Sequence, residues 1–249
     1  MKVAAWRLLA ACIPIPALMT GCASAGAGSE LAARPPQPLV LPEKESQVVH
    51  LPQDGKFSIH LAPSSRTPAL EGKAEAQSDA SPDGHAKAIA MVENGGTASA
   101  TFQLGHAFQN TTDHQVDLKI NLRFSYEYVL DLTPRGTTPD VTVNLGLFAR
   151  GGRNQLLKSQ SLMSVTTDVG AVNGKDAKDQ QLTITLSPHD TISIFVAGTV
   201  AIDSKPDRKA AGSIELKGLQ MDLTVSPAPE VKSSTSQPAS KPSSSKPSP

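Results

Sequence analysis

The sequence predicts an all-β protein, an antiparallel β-sandwich. Apolar residues recur with a period of two in run after run, turn signals separate the runs about every ten residues, and no amphipathic helical pattern interrupts them. The longest run goes from Val116 to Leu132. Its apolar set is Val116, Leu118, Ile120, Leu122, Phe124, Tyr126, Tyr128, Leu130 and Leu132, and the residues between them are nearly all polar. At about 3.3 Å per residue the run would reach roughly 56 Å, well beyond a usual strand of about 5–6 residues. Either something bends it, or only part of it pairs.

The elements follow in order. Ala86 to Val92 is a short strand closed by Glu93-Asn94-Gly95-Gly96. Ala98, Ala100, Phe102, Leu104, His106 and Phe108 alternate next, and Asn110-Thr111-Thr112-Asp113 turns into the long run. Thr133-Pro134-Arg135-Gly136 stops that run, because proline cannot donate to a ladder. Val141 to Ala149 and Leu156 to Val165 flank a hairpin signal at Arg150-Gly151-Gly152-Arg153-Asn154. Thr167 to Asp179 reads as a polar loop. Leu182 to Leu186 and Ile192 to Ile202, broken by Gly198, surround the turn Ser187-Pro188-His189-Asp190. In the last strand the apolar parity reverses, from Ile214 and Leu216 to Leu219, Met221, Leu223 and Val225. A one-residue bulge at Gly218 would return both halves to one face. This makes seven to nine strands between residues 85 and 226, a single domain with a core of its own. A lipocalin-like barrel is the alternative, though the uneven strand lengths fit it less well.

The flanks have other characters. Residues 1–21 form a leader with Lys2, Arg7 and a short apolar stretch ending in Leu18-Met19-Thr20-Gly21-Cys22. This ending resembles the lipobox of bacterial lipoprotein precursors. The resemblance implies cleavage before Cys22, a lipid on the new N-terminal cysteine, and, with Ala23 rather than aspartate next, an outer-membrane address in the cell envelope. Residues 22–84 read as a partly extended tether: small residues, then Arg34-Pro35-Pro36-Gln37-Pro38. Within it Val48 to Leu51 and Phe57 to Leu61 could each add an edge strand, while Pro63 to Gly84 reads as a loop or second linker. Residues 227–249, rich in Ser, Pro and Lys, have almost nothing apolar to offset the entropy of ordering and are expected to be disordered. In the domain, Thr183 to Leu186 leading through a turn to Thr191 to Ile194 resembles jelly-roll accessory domains of bacterial surface proteins.

Chemistry is sparse. The chain carries 23 basic and 23 acidic residues with no clustered cationic surface, so nucleic acid is not expected as a partner. Its two cysteines, Cys12 and Cys22, leave no thiol pair for a disulfide once the leader is gone. No zinc-binding His-Glu-x-x-His, nucleophile elbow or phosphate loop occurs, and Ser243 and Lys246 match Ser-x-x-Lys only inside the polar tail. The six histidines are dispersed, with His60, His106 and His189 read as structural or solvated. Asp168, Asp176 and Asp179 would suit calcium were Lys175 and Lys178 not interleaved. Sugar stacking wants exposed aromatics, yet the lone Trp6 lies in the leader and Tyr126 and Tyr128 fall on the core face. Two basic groups, Arg150, Arg153 and Lys158 and then Lys205, Arg208 and Lys209, would form an anion-binding rim if their loops met at one end. The reading is therefore a non-catalytic envelope lipoprotein with no cofactor, held to the membrane by lipid. It would display its sandwich as a structural or protein-interaction module, with a glycan or cell-wall polymer binding module as the alternative and a hydrolase third.

Overall fold

Alternating runs become strands because each can bury one face and solvate the other. The structure, a computed structural model, describes residues 37–39, 46–52, 56–134, 140–167 and 170–228. Among these are β1 (Gln37–Leu39), β2 (Gln47–Leu51), β3 (Ile59–Leu61), β4 (Ser64–Pro68), β5 (Lys73–Ser81), β6 (His85–Glu93) and β7 (Gly96–Asn110). They continue as β8 (Val116–Thr133), β9 (Val141–Gly151), β10 (Leu156–Thr167), β11 (Val172–Leu186), β12 (Thr191–Ser204) and β13 (Lys209–Pro227). The first sheet has the order β1-β7-β12-β9-β10, with β3 and β4 also on the free side of β7. The second has the order β11-β8-β13-β6-β5, with β2 beside β13.

The pairing runs from the outside in. β6 pairs with β13, β7 with β12, β8 with β11 and β9 with β10, all antiparallel. A single long hairpin, its tip at Gly152–Asn154, has been rolled so that β8 also meets β13 and β12 meets β9. This is a jelly-roll sandwich. Inward side chains of both sheets make one core, including Phe102, Phe108, Leu118, Leu122, Val143, Ile194, Ile214 and Met221. Gly198 breaks its run because the Phe102 ring occupies the place of its side chain.

The parity reversal in β13 is a bulge. Lys217 pairs with Ser125 and Gln220 with Arg123, so Gly218 and Leu219 together oppose Phe124. Gly218 has φ +64°, and Leu219 is buried. Here β13 also changes neighbours: β6 pairs up to Leu216, and β2 takes over from Met221. Between them the β5–β6 turn docks, with Leu219 N–H donating to Gly84 O at 3.0 Å. The long run pairs throughout its length as β8 and is accommodated by this bulge in its partner.

Three expectations need correction. Pro63 to Gly84 is no linker: it supplies β4 and β5, and Ser78 Oγ of β5 donates to Ala62 O, just ahead of β4, at 2.7 Å. The sandwich begins well before residue 85, since Leu51 and Phe57 are buried in its core. The segment from Thr167 to Asp179 is not a loop throughout, because β11 begins at Val172. These strands lie at sheet edges, where few side chains are buried and polar residues fill both faces, so alternation fades. At the other end the ladder runs on to Pro227, opposite Val116, and Ala228 N–H donates to Gln115 O. Cys22, Asp168 and residues 229–249 lie outside the described residues.

Candidate functional site

The outer face of the second sheet carries the most organised polar surface. Register brings Lys175, Glu127, Glu215, Lys87 and Asp79 into one row across β11, β8, β13, β6 and β5. The row beside it is Asn173, Val129, Ser213, Ile89 and Gln77. Five strands about 4.8 Å apart give each row a span of about 19 Å. Two hollows, of about 580 and 370 Å³, lie along these rows and share Lys87. The first reaches β11, where the Tyr128 ring covers Gly174.

The charges in this face are balanced. Glu127 and Glu215 stand directly opposite each other, a like-charge pairing that destabilises a sheet unless offset. Lys217 offsets it, with Nζ 2.8 Å from Glu127 and 3.5 Å from Glu215. The Lys217 ammonium holds the Glu127 carboxyl below its ordinary range, and Glu127 raises Lys217 in turn. Glu127 is thus kept ionised and cannot serve as a general acid at neutral pH. Next to the charged row, Val129 and Ile89 are 48% and 37% exposed, two apolar contacts set among amides and a hydroxyl. The sequence showed this only faintly, as Val129 in the polar set of its run; pairing of the five strands was needed to assemble the rows.

A second polar cluster lies further along the same face, where β2 meets β13. Asp222 takes His50 Nδ1 at 2.7 Å on one oxygen and Arg123 Nη2 at 2.7 Å on the other. The His50 hydrogen bond, followed by the Arg123 charge, lowers the Asp222 carboxyl below its ordinary value. Asp222 thereby ties His50 of β2 and Arg123 of β8 to β13.

The structure does not unite the basic rim. Arg150, Arg153 and Lys158 surround the β9–β10 tip, beside the start of β12, where Ile192 pairs with Gly151. Lys205, Arg208 and Lys209 follow the far end of β12, about 40 Å away along the strand at about 3.3 Å per residue. Arg208 is also engaged, since Nη1 donates to the buried Asp140 carboxylate at 2.8 Å. Arg150 lies over the Phe195 ring, which stacks on Phe148 on the outer face of the first sheet, and donates to Asn154.

Other sequence candidates find structural places. Asp176 and Asp179 point to opposite faces of β11, Asp176 pairing with Lys178 at 2.6 Å; among the described residues no cluster of three metal-ligating side chains occurs. His106 faces the core between Phe57 and Phe108, and its Nδ1 accepts the Ser58 N–H at 3.3 Å. His60 sits on β3, and His189, at φ +60° in its turn, meets Asp113. Tyr126 is buried as expected, which raises its phenol; Tyr128 is half-buried against the core.

No protein-family model and no curated protein matches the chain. Among solved structures it is similar to the enzymatically active domain of bacteriophage CBA120 tailspike protein 4, at 12% identity and a TM-score of 0.28, covering 69% of this chain and 20% of that one. A family 35 carbohydrate binding module from Clostridium thermocellum matches at 11% identity and a TM-score of 0.20, over 63% of this chain and 98% of the module. The lectin UEA-II complexed with galactose matches at 9% identity and a TM-score of 0.26, over 72% and 98%. The likeness is one of β-architecture.

Proposed function

We propose that the protein is a non-catalytic binding module of a bacterial cell envelope that lays an extended, hydroxyl- and amide-bearing polymer, a glycan chain, across the outer face of its second sheet. The observation that carries this reading is the pair of in-register rows over five strands. One row offers balanced charges that hydrogen-bond hydroxyls, and the other offers Val129 and Ile89 to the apolar faces of rings. Mixed signs favour a largely neutral polymer over a polyanion, which would want one sign throughout. Lipid on Cys22 would hold the module to the outer membrane, consistent with the Thr-Gly-Cys ending. Replacing Cys22 with Ser should abolish incorporation of a fatty-acid label.

Pull-down on insoluble polysaccharides and peptidoglycan, with a glycan array for soluble chains, tests the groove. Wild-type protein should be retained by at least one polymer. Lys87→Ala and Glu215→Ala should each weaken retention about tenfold, the scale of one hydrogen bond to a charged group. Equal retention of these variants would remove the groove from the reading. A protein-interaction module is the second reading, favoured by Leu156 and Leu157 near the β9–β10 tip, 49% and 43% exposed. Binding to no polymer, together with capture of an envelope protein that Leu157→Ser abolishes, would establish it instead.

A further inference from the structure

The two strands on the open side of the sandwich differ. Among the described residues β10 pairs only with β9, and two register shifts break its ladder; β11 pairs only with β8 and runs from Val172 to Leu186 without a shift. A long, flat edge is a template for another strand, and charges along it ordinarily keep strangers off. In β11 the charges read the same way from either end with signs exchanged: Lys175, Asp176, Ala177, Lys178, Asp179.

We infer that β11 is the interface of a two-fold homodimer, pairing antiparallel with β11 of a second copy about an axis at Ala177. In that register Lys175 lies opposite Asp179 of the second copy, and Asp176 opposite Lys178. Asn173 then meets Gln181, and Val172 meets Leu182. Lys175 and Asp179 share the outer face and Asp176 and Lys178 the inner, so each ion pair forms within one face. A parallel pairing in register, or an antiparallel one slipped by one or two residues, would set like charges together.

Backbone direction agrees. Ala177 N–H donates to Asp176 Oδ1 at 2.8 Å, so it points away from β8 into the open edge. Alternate residues of an antiparallel edge strand turn both N–H and C=O outward, so Lys175, Ala177 and Asp179 offer theirs to a partner. The axis then passes through a hydrogen-bonded Ala177–Ala177 pair. The Asp176 carboxylate, now shared between that N–H and Lys178 at 2.6 Å, exchanges them for Lys178 of the second copy. The two second sheets become one continuous sheet. This inference does not rest on the glycan reading: it uses the edge of the sheet rather than its face, although Lys175 belongs to both.

Sedimentation velocity over a concentration series tests it, with the full chain carrying Cys22→Ser so that no lipid contributes. The parent protein should dimerise, less tightly as salt is raised. Lys175→Glu should weaken the dimer at least tenfold, and Lys175→Glu with Asp179→Lys should restore it, since the exchange rebuilds both pairs. Circular dichroism would verify that each variant is folded. A parent that stays monomeric at high concentration would overturn the inference, as would a single variant that dimerises like the parent or an exchange that fails to rescue.

Discussion

At the scale of single residues, Gly218 and Asp222 control β13. Gly218 sits at φ +64° with nothing within 4 Å of where a Cβ would stand, so the cost of replacing it is conformational rather than steric. A left-handed conformation costs an L-residue about 1–2 kcal/mol, and more when it is β-branched. Gly218→Val should therefore lower the stability measured by urea unfolding by about 2 kcal/mol, and Gly218→Asn by less, because asparagine tolerates that region. Asp222 adds a pH dependence. Its carboxyl is lowered in the folded protein, so its stabilisation is complete above the ordinary carboxylate value and is lost as pH falls through the folded value. Asp222→Asn should cost up to about 1 kcal/mol at neutral pH, the range for partly exposed ion pairs. The gap between variant and parent in urea midpoints should close in acid.

At the scale of elements, the strands with a buried face were legible and the edge strands were not. β7, β8, β9, β12 and β13 bury alternate residues almost completely, and this is the pattern a sequence displays. Residues in β4 are exposed on every side, and β5 buries little beyond Ala74. Their strand state comes from hydrogen bonds to β7 and β6, which any backbone can make. The segment before β3 is held instead by one side chain: Phe57, fully buried, packs edge-on to His106. Phe57→Ala should cost about 3–5 kcal/mol by the removal of a large buried aromatic. Unfolding that tracks the parent within experimental scatter would mean that this segment is a tether after all.

At the scale of the whole molecule, a rolled hairpin leaves its two sides unlike. β1 to β5 extend the sheets on one side, whereas β10 and β11 face outward on the other. The proposed polymer lies on a face and the proposed second copy at an edge, so one sheet serves both. The sequence by itself determined that the chain is β throughout its core, where most turns fall, which residues of each central strand face inward, and that β13 needs a bulge at Gly218. These are local properties, since inward and outward alternation is read from consecutive residues. Only the tertiary structure decided that the first strand of the roll pairs with the last, and that residues before 85 belong to the sandwich. It likewise set the two basic groups at opposite ends of β12 and placed Lys175, Glu127, Glu215, Lys87 and Asp79 in one row. The physical reason is that strand pairing is made by backbone groups common to every residue. Which strands become neighbours is set by burying all the inward faces at once, a condition that no single stretch of sequence contains.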